Sequence, residues 1–198
     1  MRPNGISVII CCYNSAKRIE PTLKHIAAQE IQDGVDWEVI LVDNNSSDNT
    51  SELAIQLSLE LGVISRFKLV HESEPGLSNA RHRGFAEAKF NIALMVDDDN
   101  WLCQDYLSTI FTKFQVDETI GMVGGLGIPV TEKEPPIWFE KYSYCYATGA
   151  QSESENANML YGAGLALRLD VLDQLLQAGF KSLLTDRIGN SLVSGGDT

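Results

Sequence analysis

The chain has 198 residues, 44% hydrophobic and 21% charged, which suits one globular domain with a sizeable core. Its formal net charge of −12 argues against sequence-independent nucleic-acid binding and against a basic membrane patch. The longest apolar run, "ISVIICC" at 6–12, is too short to span a bilayer.

Strand and helix patterns alternate along the chain. The apolar, β-branched run 6–12 reads as a strand buried on both faces. In "NSAKRIEPTLKHIAAQ", Ile19, Leu23, Ile26 and Ala27 recur at helical spacing, with Ser15 or Asn14 as candidate caps and Pro21 restricted to the first turn. "WEVILVD" (37–43) is a second strand, and "SSDNTSELAIQLSLELG" a capped helix closed by Gly62. A third strand at 66–71 leads through "EPG" to a helix at 77–89, and "NIALMVD" (91–97) is a fourth strand. Beyond it come a helix at 104–114, a glycine-rich strand at 121–128, and a long loop region at 129–158 with a short helix near "WFEKYSYCY". Turn plus strand at 160–168 and a helix at 170–179 follow.

The alternation predicts an α/β fold whose mostly parallel sheet is flanked by helices. In such sheets ligands bind beyond the carboxyl ends of the strands. The informative residues fall there. The first strand ends in "CYN", the second at Asp43, and the fourth runs into Asp97, Asp98 and Asp99.

Three adjacent carboxylates repel one another, and three exceed what a helix cap needs. A hard divalent ion relieves that repulsion; oxygen ligands suit Mg²⁺ or Mn²⁺, which use one or two carboxylates and leave room for phosphate. One acid then serves the ion and a neighbour another group, such as a ribose hydroxyl. Asp43, after the second strand, is placed to accept hydrogen bonds from a nucleoside. No GxGxxG or GxxxxGK[ST] is present, which disfavours dinucleotide and P-loop sites.

With Leu77 at 0° and about 100° per residue, Ala80, Gly84, Phe85 and Ala88 form a small apolar helix face. Arg81, near ~40°, lies inside that face, and Arg83, near ~240°, lies outside it. A charge on a packed side is costly unless paired, so Arg81 needs a carboxylate or a bound phosphate. Cys11, Cys12, Cys103 and Cys145 show no CxxC spacing; they read as reduced thiols, which disfavours zinc and points to a cytoplasmic setting. The chain stops at "LVSGGDT" and reads as part of a longer protein.

Taken in order, "SVIICCYN", "VDNNSSDNT", "PGLSNARHRG", "LMVDDDNW", "YGAGLALRLDVL" and "SGGDT" resemble the family 2 glycosyltransferases, over almost the whole chain. The resemblance implies the GT-A nucleotide-diphospho-sugar transferase fold. It divides the single domain into a nucleotide-sugar-binding half, 1–100, and an acceptor-side half, 101–198. It further implies that Cys12, Tyr13 and Asn14 lie against base and ribose, and that Asp43 binds the base. Arg81 matches the family's arginine, and Asp97 and Asp98 belong to the nucleotide-sugar site, with Asp98 at the ribose. Asp99 would ligate Mn²⁺ or Mg²⁺, and Asp197 matches the general base of inverting members.

The sequence departs from the family pattern in carrying Cys12 for a common proline, "DNN" after the second strand for a common Asp-Asp-Gly, and Gly196 for a common glutamate. The implied reaction is sugar transfer from a nucleoside-diphosphate sugar, with UDP as the family's common nucleotide, to a saccharide or lipid-linked saccharide. Polysaccharide or cell-surface glycan synthesis, in the cytoplasm or at the cytoplasmic face of a membrane, is the implied setting. The rivals are a sugar-phosphate nucleotidyltransferase, which normally shows a basic glycine-rich loop after the first strand, and a non-catalytic nucleotide-binding module.

Overall fold

The computed structural model describes residues 2–152, 160–180, 187–188 and 191–192. A seven-residue stretch, apolar but for Ser7, makes β1 (Ile6–Cys12), followed by α1 (Ile19–Ala27), β2 (Trp37–Asp43), α2 (Thr50–Glu60), β3 (Phe67–His71), α3 (Leu77–Glu87) and β4 (Ile92–Asp97). Then come α4 (Tyr106–Val116), β5 (Met122–Val123), α5 (Phe139–Tyr142), β6 (Leu165–Arg168) and α6 (Leu169–Gln177). Two short strands, β7 (Arg187–Ile188) and β8 (Ser191–Leu192), pair separately.

The main sheet has the order β3-β2-β1-β4-β6-β5. β1 to β4 are parallel to one another, as the alternating pattern predicts, whereas β6 runs antiparallel to β4 and β5. The period-two alternation of each strand feeds two cores. Val8, Ile10, Leu41 and Leu94 face one layer, where Leu23 of α1, Ala54 of α2 and Phe114 of α4 pack. Ile9, Ile40, Val42 and Met95 face the other, with Ala80 of α3 and Leu169 of α6. α3 lies directly on β1 because Gly84 has no side chain: a Cβ there would stand 2.4 Å from Cγ2 of Ile9.

Two expectations are corrected. The glycine-rich strand shrinks to Met122–Val123, and among the described residues the segment just beyond it pairs no further with the sheet, making a bridge between Gly127 and Gly149. Glycines add backbone entropy and no packing surface, so the run does not hold a longer strand. Neither Asn14 nor Ser15 caps α1, which begins at Ile19 without a side-chain cap; the Ser15 carbonyl instead accepts the N–H groups of Arg18 and Ile19. Pro21 falls in the first turn, where its missing N–H costs nothing.

Candidate functional site

Parallel register brings the ends of the first four strands to one edge. Cys12, Asp43 and His71 are level across β1, β2 and β3, and Asp97 of β4 is level with Cys11. Cys12 and Cys11 turn to opposite cores. The Cys12 side chain is buried, so only its backbone reaches the edge, and its carbonyl is taken by the Asn44 N–H at 2.8 Å. Burial pushes both thiols up, Cys11 to about 12 against the pull of Arg81, so neither is a thiolate near neutral pH.

Asn14 adopts a left-handed φ of 52°, which asparagine tolerates. It joins two loops: its N–H donates to Ser46 Oγ at 3.0 Å, and its side-chain oxygen accepts the Ser47 N–H at 2.8 Å. Tyr13 beside it is 58% exposed, a ring presented to solvent at the edge.

Asp43 is buried at the floor of an open recess of about 520 Å³ that His71, Ser51 and Arg83 help to line. Burial alone would raise its carboxyl pKa. Hydrogen bonds from Ser51 Oγ and from the Ser46 N–H at 2.9 Å outweigh that and hold it below the usual range. His71 Nδ1 stands 4.0 Å away. Asp43 therefore remains an ionised acceptor near neutral pH.

The two asparagines after Asp43 carry a structural role that the sequence reading missed. Asn44 donates to the carbonyls of Glu72 at 3.0 Å and Glu74 at 2.7 Å, and accepts the Gly76 N–H at 2.8 Å. Asn45, with φ 66°, donates to Ser73 O at 2.7 Å. It occupies a left-handed position that glycine also suits, which accounts for "DNN" where the family pattern has a glycine. Together they fix the loop between β3 and α3.

Arg81 is buried on α3, as its helical angle requires. Its charge and that of Asp97 both act on Cys11, which puts an arginine and a carboxylate around one thiol on the α3 side of the sheet. His82 and Arg83 are exposed, and Arg83 pairs with Glu87 at 2.8 Å.

The three adjacent acids diverge. Asp97 belongs to the α3 side with Cys11. Asp98 turns to the start of α1, where Ser15 Oγ and Arg18 bind its carboxylate. Asp99 is exposed; Asn100 Nδ2 donates to it at 3.4 Å, and its charge also acts on Arg18. Asp98 is thus occupied by protein groups in the place where the sequence led to a ribose contact. Among the described residues no three His, Cys, Asp or Glu side chains are grouped to hold a metal alone. The one exposed carboxylate of the three, Asp99, is a hard oxygen donor of the kind that suits Mn²⁺ or Mg²⁺, which take one or two carboxylates and fill the remaining positions with phosphate and water.

On the other side of the acids, Trp101 stacks on His25 with ring centroids 5.7 Å apart and stays 46% exposed. Tyr106 Oη donates to Gly164 O at 2.6 Å, and a Cβ at Gly125 or Gly164 would strike that hydroxyl. The ring thus ties the "GGLG" and "YGAG" segments together. Asp197 lies outside the described residues.

Parallel strands delivering acids to one edge between two helical layers give an α/β fold of the GT-A type. The pattern of glycosyl transferase family 2 matches residues 7–176, and the chain belongs to that family.

Among its relatives, the poly-beta-1,6-N-acetyl-D-glucosamine synthase of Staphylococcus aureus strain COL is 30% identical over 121 residues, 61% of this chain and 28% of the synthase. Glycosyltransferase GlyG of Streptococcus pneumoniae serotype 4 is 28% identical over 120 residues, 60% of this chain and 38% of GlyG. The chain therefore spans well under half the length of these relatives.

Among solved structures, the mannosyltransferase PcManGT from Pyrobaculum calidifontis, in complex with GDP-Man and Mn²⁺, superposes with TM-score 0.69 at 25% identity, over 88% of this chain and 47% of that one. S. aureus TarS in complex with UDP-GlcNAc gives TM-score 0.64 at 18% identity, over 86% and 47%.

Proposed function

We propose that this chain transfers a sugar from a nucleoside-diphosphate sugar, with UDP as the preferred nucleotide, to an acceptor hydroxyl with inversion at the anomeric carbon. The observation that carries the reading is the edge itself: in a family 2 chain, buried Asp43 ends β2 and Asp97 ends β4, both beside the end of β1, with exposed Asp99 two residues further on. Residues 1–100 form the donor half and 101–198 the acceptor side. The sugar polymer made by the staphylococcal synthase supports a setting in polysaccharide or cell-surface glycan synthesis. Among the described residues no helix is long and apolar enough to cross a membrane. We place the reaction in the cytoplasm, with a saccharide or lipid-linked saccharide acceptor at the membrane face.

We assign the roles as follows, that of Asp197 on the family resemblance alone. Asp43, ionised and held by Ser46 and Ser51, accepts a hydrogen bond from the base. Tyr13 and Asn14 line base and ribose, and Asp97 with Arg81 closes the site from the α3 side. Asp99 is the ligand for Mn²⁺ or Mg²⁺, which when bound neutralises charge on the diphosphate leaving group. Trp101 offers a ring face to a sugar. Asp197 takes the proton of the attacking hydroxyl; such general-base help is worth about 10²–10⁴-fold.

Calorimetric titration of UDP, GDP and dTDP with and without Mn²⁺, on the wild-type chain and on Asp99→Ala, tests the reading. GDP belongs in the set because PcManGT carries GDP-Man. The expected result is metal-dependent binding of one nucleotide, lost in Asp99→Ala. A folded chain that binds none, or that binds equally well without metal and without Asp99, overturns it.

A further inference from the structure

Asp98 sits at the ligand edge, and its carboxylate is engaged there by protein groups. Its carboxylate accepts a hydrogen bond from Ser15 Oγ and a two-point grip from Arg18, by Nη2 at 2.6 Å and Nε at 3.3 Å. Its backbone carbonyl accepts Thr22 Oγ1 at 2.9 Å. The Asp98 side chain is 13% exposed, against 48% for Arg18. All three partners come from the segment between the end of β1 and the first turn of α1. That segment is itself anchored, because the N–H of buried Ser15 donates to Thr50 Oγ1 at 2.8 Å. An exposed ion pair on its own contributes little. This carboxylate is shielded, its arginine meets it as a fork, and its backbone is held too, which makes the contact directional.

We propose that Arg18 is a positioning residue of the donor site. By drawing Asp98 toward α1 it removes the middle charge from the acidic triplet and sets the direction in which Asp99, the next residue, presents its carboxylate. The Arg18 guanidinium is a permanent cation, and the hydrogen bond to Asp98 favours that charged form. Ser15 and Thr22 act in the same way on the Asp98 side chain and backbone. This role rests on reading the edge as a metal-dependent nucleotide site.

The test is calorimetric binding of the preferred nucleoside diphosphate with and without Mn²⁺, in wild type, Arg18→Met, Arg18→Lys and Arg18→Met/Asp98→Asn. Methionine keeps the apolar stem and removes the fork. Loss of a group that orients a metal ligand costs about 10- to 100-fold in metal affinity, so the Mn²⁺-dependent part of nucleotide binding should fall by about that factor. Binding without Mn²⁺ should stay as in wild type. Arg18→Lys should recover part of the loss, and Asp98→Asn should add little to Arg18→Met.

Equal Mn²⁺-dependent binding in wild type and Arg18→Met overturns the role while leaving the donor site standing. An equal loss with and without Mn²⁺ means general loosening and also overturns it. A folded wild-type chain that binds no nucleotide removes the donor-site reading, and the role with it. Should Arg18→Met fail to fold, Arg18→Lys and Ser15→Ala carry the same comparison.

Discussion

The side-chain oxygen of Asn44 accepts the backbone N–H of Gly76 at 2.8 Å, across 32 positions of sequence. The same amide donates to two carbonyls of the loop before Gly76, so one side chain satisfies three backbone groups. A buried polar group left without a partner costs about 1–3 kcal/mol. Asn44→Ala should therefore destabilise the chain by about 2–3 kcal/mol, read by denaturant unfolding. Amide exchange at Gly76 should accelerate at the same time. Stability and exchange both equal to wild type would show that the loop is held by something else.

Asp43 gives a pH dependence whose sign is fixed. Its folded-state pKa lies below the model-compound value of 3.8. The stabilisation it brings is complete above the unfolded value and disappears as pH falls through the lower, folded value. Stability of the wild-type chain should thus drop more steeply below about pH 4 than that of Asp43→Asn, in which this site no longer titrates. Unfolding curves from pH 7 to pH 3 on the two chains make the comparison. Parallel profiles would mean that Ser46 and Ser51 do not favour the ionised form.

Gly84→Ala places a methyl 2.4 Å from Cγ2 of Ile9 in the β1–α3 contact. Overpacking of this kind costs about 1–3 kcal/mol, and α3 must lift from the sheet to absorb it. Because Arg81 rides on the same helix, nucleotide binding should weaken with stability. Ile9→Ala in the same chain should restore part of both, since it removes the atom that clashes. A Gly84→Ala chain as stable as wild type would mean that α3 has room to shift.

Local signals explain what was legible in the sequence. Mostly apolar runs marked β1 and β2 to the residue, because a strand buried on both faces carries few polar residues; the two inside these, Ser7 and Glu38, bond to each other. Helical geometry alone put Arg81 on the packed face, since its angle needs only its neighbours. The missed contacts join residues far apart. Arg18 meets Asp98 across 80 positions, and Asn44 meets Glu74 across 30. No periodicity encodes such a pair. The shortened β5 failed for another reason: in 121–128 the hydrophobic residues were present, but the glycines between them give a strand little to hold it.

β6 runs against β4, and this reversal has an architectural consequence. The Gly164 N–H donates to Met95 O at 3.0 Å, so the chain re-enters the sheet beside the acids and then descends away from them into α6. β5 and β6, the two ends of the intervening segment, thus both lie on the β4 side of the sheet, with β4 between them and β1, β2 and β3. Such a detour can grow, shrink or change composition while the strands that hold Asp43 and Asp97 keep their register. On the proposed division into donor and acceptor halves, this would let a lineage built on this sheet explore new acceptors on an unchanged donor platform.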